Sequence, residues 1–283
     1  HSEIVILGSG LIGLSTALLL EKYGLESIII DKSPINLLKS NKDSRTTAIS
    51  QGSARIYEKI GIWKDLVKHS QPIYRIKVTE GIEVDGLTFN DDMTEEGVMG
   101  YIVENKFIKR FLLKKVLKSS LIKLYSGTLV KSLKNLKNKT LELKTANGTT
   151  TCNLLIGADG RKSNTRKIGL FKYLYKNYNQ NAYVFNILHK KPHKGMALER
   201  FFSTGPLAIL PMKASKGNQS SVVFTVDADK TFENRSSFVR FFKAKYKNFF
   251  GEVLKFSKVS TFPLDVYSCL RYYKTNIVLV GDA

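Results

Sequence analysis

Hydrophobic and polar positions fall into two textures along the chain. A short β-branched run from Glu3 to Leu7 leads through a glycine turn into Leu11 to Tyr23, where apolar residues occupy nearly every helix face. Gly24 marks a helix stop, and Ser27 to Ile30 is a second buried run that ends in Asp31. This order predicts a βαβ unit. Thr46 to Ile60 has helical spacing, and Trp63 to His69 reads as a shorter helix after the break at Gly61.

From Ile73 the pattern alternates, with strands predicted at Ile73 to Thr79 and Leu87 to Phe89 around an acidic loop at Asp91, Asp92, Glu95 and Glu96. Helical spacing returns at Phe107 to Leu117. Strands follow at Leu121 to Tyr125, Thr128 to Leu133, Thr140 to Thr145 and Thr151 to Ile156, with Asn147-Gly148 a hairpin turn between the last two. Beyond about Gln180 the chain reads as strands (Ala182 to Leu188, Leu198 to Phe202, Leu207 to Pro211, Ser220 to Val226), one helix from Glu233 to Lys247, and then more strand. Asn276 to Val280 is a last apolar strand that runs into Gly281-Asp282-Ala283.

Length and composition narrow the class. At 283 residues the chain suits two domains, and 43% hydrophobic residues can build a substantial core. A formal net charge of +21 would attract phosphates, nucleic acid or an anionic membrane. The lysines are nevertheless scattered, among them Lys114-Lys115, Lys131, Lys134, Lys137 and Lys139, and most alternate with apolar residues as solvated faces do. Cys152 and Cys269 have no metal-site or disulfide spacing, which fits a reducing compartment. No run reaches the roughly 18 apolar residues of a membrane span, and the N-terminus enters a strand rather than a signal segment. A cytoplasmic location is expected, with peripheral contact at the inner face of a membrane as the elaboration.

Three glycine turns carry the chemistry. Gly8-Ser9-Gly10-Leu11-Ile12-Gly13 fits G-x-G-x-x-G between a strand and a helix, eighteen residues before Asp31 at the end of the next strand. The first glycine permits the turn, the second lets backbone N–H groups approach a pyrophosphate, and the third lets helix and strand pack closely. Asp31 is placed to hold ribose hydroxyls, and its negative charge argues against a 2′-phosphate there. Gly157-Ala158-Asp159-Gly160, with Ser163 and Arg166, is a second strand-to-helix turn, and Gly281-Asp282 is a third. Together they suggest one dinucleotide gripped along its length.

These turns resemble the three fingerprints of the single-component FAD-dependent aromatic hydroxylases. Arg45-Thr46-Thr47-Ala48-Ile49-Ser50, Gly61-Ile62-Trp63, Gly100 to Asn105, Glu199-Arg200-Phe201, Gly205 to Pro211 and Phe262-Pro263-Leu264 are similar to segments of the ubiquinone-biosynthesis branch of that family. The resemblance implies an α/β fold: a Rossmann-like FAD-binding domain with a discontinuous, strand-rich substrate domain. The boundaries expected are 1–72, 100–178 and 275–283 for the FAD domain, and 73–99 and 179–274 for the substrate domain. The family continues past its third turn with an Ala-His, a proline, a glycine-rich turn and a helical region, so a C-terminally truncated copy is expected here.

Position by position, the resemblance implies that Gly8, Gly10, Gly13 and Asp31 hold the ADP half of FAD. Arg45 is implied near the pyrophosphate or the entering nicotinamide, and Asn105 near the flavin or ribityl chain. Asp159 and Gly160 fall at the joint FAD and nicotinamide turn, and Gly281 and Asp282 at the ribityl-pyrophosphate. Residue by residue, the weaker alternative for Arg45 is half of a surface salt bridge, whereas Asn105 reads equally as a helix N-cap before Phe107. The implied reaction is reduction of FAD by NADH or NADPH, capture of O2 as a C4a-hydroperoxide, and oxygen transfer to an aromatic or prenylated phenol. No catalytic side chain and no metal is called for. Gly205 to Pro211 and Phe262-Pro263-Leu264 are apolar enough to line the substrate pocket, and a complex of ubiquinone-biosynthesis proteins is the partnership the family suggests.

Several rival readings are weaker. His189 and His193 lie in a lysine-rich stretch without a third ligand, which predicts a solvated loop rather than a metal site. Another flavoenzyme on the same scaffold, such as a hydroxylase of a different aromatic substrate, a halogenase or a prenyl-lipid reductase, remains open. A halogenase is disfavoured by the presence of only Trp63. A non-catalytic binding or assembly protein on the same fold is the alternative from another class. Nucleic acid is not an expected partner, because only Arg271-Tyr272-Tyr273-Lys274 interleaves cations with aromatics.

Overall fold

The computed structural model describes residues 1–40, 43–83, 85–136, 140–230 and 232–283. Lys137 and Lys139, named above among the scattered lysines, lie outside the described residues. The first strand, Ser2–Leu7, pairs in parallel with Ser27–Asp31 on one side and Gly148–Gly157 on the other. Ile122–Ser126 extends the sheet beyond Ser27–Asp31, and Ile277–Leu279 extends it beyond Gly148–Gly157. Because these five strands run parallel, their C-terminal ends share one rim, and the three glycine turns leave the sheet there.

The apolar runs of these strands are continuous because both faces of the sheet are covered. On one face, Ile4, Ile6 and Ile29 pack against Leu14, Ala17 and Leu18 of the helix Leu11–Lys22, and against Ile108 and Leu112 of the helix Asn105–Val116. On the other, Val5 and Leu155 meet Leu141, Leu143 and Phe171. Leu141–Thr145 and Val130–Asn135 continue the sheet antiparallel from Gly148–Gly157.

A second sheet is built around the long strand Tyr173–His189, which pairs antiparallel with Gln219–Asp227, Val253–Phe256 and Ser260–Cys269. Gly205–Pro211, Met196–Phe202, Arg75–Glu80 and Leu87–Asn90 complete it, with Arg75–Glu80 parallel to Met196–Phe202. The helix Arg235–Tyr246 covers one face through Phe238, Phe242 and Tyr246, against Phe185, Leu207, Ile209 and Phe224. Asn234 starts that helix with a reciprocal capping box to Ser237. Thr46–Ile49, Gly100–Glu104 and Ser70–Ile73 form a small antiparallel sheet. Ile73 and Ile102 of that sheet pack with Ala197 and Met212 of the strand-rich part.

Three expectations change. Thr46 to Ile60 is not one helix: Thr46–Ile49 is a strand, because its β-branched residues find the backbone of Gly100–Glu104, and the helix Gln51–Lys59 begins only where the Ser50 hydroxyl accepts from the Ser53 N–H. The strand expected at Ala182 to Leu188 is longer, Tyr173–His189, and its register shifts between Asn177 and Gln180, where Asn179 adopts φ +53°. His189 and His193 are not in a solvated loop; they are 0% and 2% exposed. His189 donates from Nδ1 to the Lys191 carbonyl and accepts at Nε2 from the Ser220 hydroxyl. His193 accepts from the Gly195 N–H and donates to the Met212 carbonyl. Local composition suggested solvent; backbone partners and Phe250, stacked on His189, exclude it.

Candidate functional site

The first turn is built by close approach. Gly8 has φ +105°, and a Cβ there would stand 2.5 Å from the Ala158 carbonyl oxygen in the second turn. A Cβ on Gly13 would strike the Gly8 carbonyl oxygen, so only glycine lets the helix sit this close to the strand. A Cβ on Gly10 would meet no protein atom within 4 Å. That open space belongs to a cavity of about 310 Å³ whose walls include Ser9, Gly10, Asp31, Lys109, Val130 and Gly160. No side chain caps the helix Leu11–Lys22 at Gly10, and its first turn holds no acidic residue. Its leading N–H groups and positive dipole end therefore stand at the cavity with no side chain of the helix's own first turn competing for them.

Asp31 ties the rim together. One carboxylate oxygen accepts from the Ser9 N–H and hydroxyl at 2.6 and 2.7 Å, and the other accepts from the Ser33 N–H at 2.7 Å. Burial alone would raise its pKa, but these hydrogen bonds outweigh it and hold the carboxyl below its ordinary range. With three of about four lone-pair sites engaged, Asp31 fixes the glycine turn as well as bordering the cavity.

The second and third turns meet the first. Asp159 accepts from the Ser163 hydroxyl and the Thr165 N–H, so its carboxylate organises the start of the helix Asn164–Ile168. Arg166, 4% exposed, donates to the Arg161 and Asp282 carbonyls and lies 4.4 Å from the Tyr267 ring centre. It thereby links the second turn to the third and to the strand-rich part. Gly281, at φ +64°, packs over Ile12, and the Asp282 residue is exposed beside it.

A family model described as an FAD binding domain matches residues 1–283. The chain belongs to this family. It is 30% identical over 287 aligned residues to ubiquinone hydroxylase UbiL of Rhodospirillum rubrum, covering all of this chain and 66% of the relative. It is 28% identical to ubiquinone hydroxylase UbiM of Neisseria meningitidis, covering all of this chain and 63% of that protein. The chain thus spans just under two thirds of the length of these relatives. The crystal structure of Pseudomonas aeruginosa PqsL in complex with 2-aminobenzoylacetate superposes with a TM-score of 0.81 at 15% identity, over all of this chain and 78% of that one, a likeness of fold.

FAD is the cofactor of this FAD-binding domain, and the cavity fits it. The side chain missing at Gly10 leaves room for a group that must approach backbone, the uncapped helix start suits an anion, and Lys32, Lys109 and Lys162 border the cavity with positive charge. The FAD-binding domain separates its other expected contacts. Arg45 is held by Asp43 through two hydrogen bonds of 2.9 and 2.7 Å, and Asn105 accepts from the Thr47 hydroxyl at 2.6 Å and donates to Asp43 at 3.5 Å. The pairing raises the Arg45 pKa through the Asp43 hydrogen bond; Asp43, which burial would raise, is lowered by Arg45. Arg45 also lies 5.7 Å from the Phe262 ring, on the strand-rich side of the FAD-binding domain, and it does not line the 310 Å³ cavity.

One finer expectation is corrected. Asn105 is not an N-cap: the helix already includes it, and the flanking residue is Glu104. Its side chain turns to Thr47 instead of the helix N–H groups, because the strand Thr46–Ile49 runs alongside. Gly205–Pro211 buries Leu207 and Ile209 in the core beneath the helix Arg235–Tyr246, which leaves its other face, with Pro206, Ala208 and Leu210, partly exposed. Sequence reasoning missed Ser9, Ser33, Lys109 and Lys162. Ser9 and Ser33 flank named motif residues and could have been suspected; Lys109 and Lys162 carry no signal among so many lysines.

Proposed function

We propose that this chain is the cofactor-holding and substrate-facing part of a flavin-dependent monooxygenase that hydroxylates the phenolic ring of a prenylated ubiquinone precursor, using NADH or NADPH and O2. The observation that carries this reading is that similarity to ubiquinone hydroxylases runs through the whole chain, the strand-rich part as well as the three turns. Residues 1–72, 100–178 and 275–283 form the cofactor part in this proposal, and 73–99 and 179–274 the substrate part.

Bound FAD supplies hydride acceptance and O2 activation, and the protein supplies binding, orientation and exclusion of water. Gly8, Gly10 and Gly13 shape the pyrophosphate cradle, with Lys109 and Lys162 balancing its charge. Asp31 borders the ribose and keeps the cradle in shape through Ser9. Asp159 and Gly160 form the middle of the grip, and Gly281 and Asp282 its far end. Arg45 and Asn105, joined through Asp43, face the strand-rich side beside Phe262, where an aromatic ring and a nicotinamide both need to be positioned. A prenyl tail makes a membrane leaflet the source of the substrate; among the described residues no helix is long and apolar enough to cross one.

The test is a flavin spectrum of the whole protein, anaerobic bleaching by NADH and by NADPH, and transfer of labelled O2 into a polyprenylphenol. Bleaching together with label in the ring is the expected result. A protein that carries FAD and oxidises NAD(P)H but leaves the phenol unaltered overturns the substrate assignment, and one that never takes up flavin overturns the reading as a whole.

A further inference from the structure

The helix Asn105–Val116 carries Lys106, Lys109, Arg110, Lys114 and Lys115 and not one acidic residue. Lys106, Arg110 and Lys114 follow one another at spacings of four, so like charges stand one above another on one face and repel. Lys106 is neutralised by Glu104 at 2.6 Å. Among the described residues, Lys39, Lys109, Arg110 and Lys114 have no ion pair, side-chain hydrogen bond or ring contact. Some cations elsewhere are engaged, as Arg235 donates to two carbonyls and Lys245 lies over the Phe202 ring, and others such as Lys213 and Lys255 are exposed; what sets this group apart is that it surrounds an apolar groove.

These cations surround an apolar groove of about 260 Å³ between this helix and the segment after Ile35–Leu38, lined by Leu38, Leu113 and Leu117. Leu117 is 49% exposed, and Leu37, beside Leu38, is 59% exposed. Exposed leucines interleaved with unpaired cations form the surface that anionic phospholipid recognises: headgroup phosphates meet the Lys and Arg side chains, and the leucines reach the acyl boundary. A soluble acidic partner would leave Leu37 and Leu117 without a role.

We infer that the groove between Ile35–Leu38 and the helix Asn105–Val116 docks the protein on an anionic phospholipid surface. The inference rests on charge and exposure and stands apart from the hydroxylase reading. Lys109 also borders the 310 Å³ cavity, so the groove and that cavity share one wall.

The experiment is flotation of the full chain with vesicles of phosphatidylcholine alone and of phosphatidylcholine with roughly one quarter phosphatidylserine. Wild type is expected to float only with the anionic vesicles. Arg110→Glu/Lys114→Glu is expected to reduce partitioning by about tenfold or more, and Leu37→Ser/Leu117→Ser by a smaller factor with the salt dependence retained. Circular dichroism and retained FAD establish that each variant is folded. Lys213→Glu/Lys255→Glu, equal in charge and away from the groove, is expected to float like wild type; equal loss in this control would reduce the effect to net charge and overturn the inference. Failure of wild type to float, equal competition by soluble glycerophosphoserine, or capture by polyglutamate in place of vesicles overturns it as well.

Discussion

The Ala158 carbonyl oxygen stands 2.5 Å from the point that a Cβ on Gly8 would occupy. The first and second glycine turns are therefore in contact through a residue that has no side chain, and both turns line the 310 Å³ cavity. Gly8→Ala should lose about 1–3 kcal/mol from its left-handed backbone alone, with a further loss from the clash. A lowered urea midpoint and weakened FAD retention are the expected readouts.

Gly10 separates folding from binding. Its φ of −72° suits any residue and a Cβ there meets no protein atom, so Gly10→Ala should change stability by about 1 kcal/mol or less. If the cradle is where the pyrophosphate lies, FAD affinity should fall on the order of tenfold, the equivalent of about 1.4 kcal/mol. Fluorescence titration with FAD beside thermal melting distinguishes the two effects; an unchanged FAD affinity would remove Gly10 from the site.

Asp31→Ala should leave the Ser9 and Ser33 N–H groups without their acceptor. Because the position is only partly buried, water replaces some of this, and about 1–2 kcal/mol is expected rather than the full value for two orphaned donors. The hydrogen bonds hold the folded carboxyl below its ordinary 3.8. Its contribution is thus present above about that pH and disappears as pH falls through the folded value. Denaturant midpoints of wild type and variant should converge in acid.

His189 and His193 give the opposite chemical type the same direction. Burial is the main cause that lowers both from the ordinary 6.5. The unfolded chain then takes up protons more readily than the folded one. Their support is complete above about 6.5 and is lost as pH falls through the folded values. Urea midpoints should decline as pH falls below about 6.5, and His193→Gln should flatten that slope while lowering stability at neutral pH.

Cys152 is buried, which pushes its thiol up to about 12, and Cys269 is 6% exposed. Neither should react with a thiol reagent at about pH 8 until the chain unfolds, since the thiolate is the reactive form. Rapid modification of either in the native protein would contradict the packing around the Gly148–Gly157 strand.

Much of the candidate site was legible because glycine spacing and strand-end aspartates are local consequences of chain geometry. The sequence alone determined the βαβ unit, the three turns at strand ends and the family likeness. Only the tertiary structure decided that Thr46–Ile49 is a strand, that Asn105 answers Thr47 rather than capping a helix, and that His189 and His193 are buried. It also decided which of many lysines stand together: Lys109 and Lys114 look ordinary in sequence and acquire meaning beside Leu38 and Lys39, about seventy positions earlier. The division has a physical reason. Turn conformation and periodicity depend on neighbours along the chain, whereas burial, charge pairing and the partner of a side chain depend on segments that folding brings together from far apart.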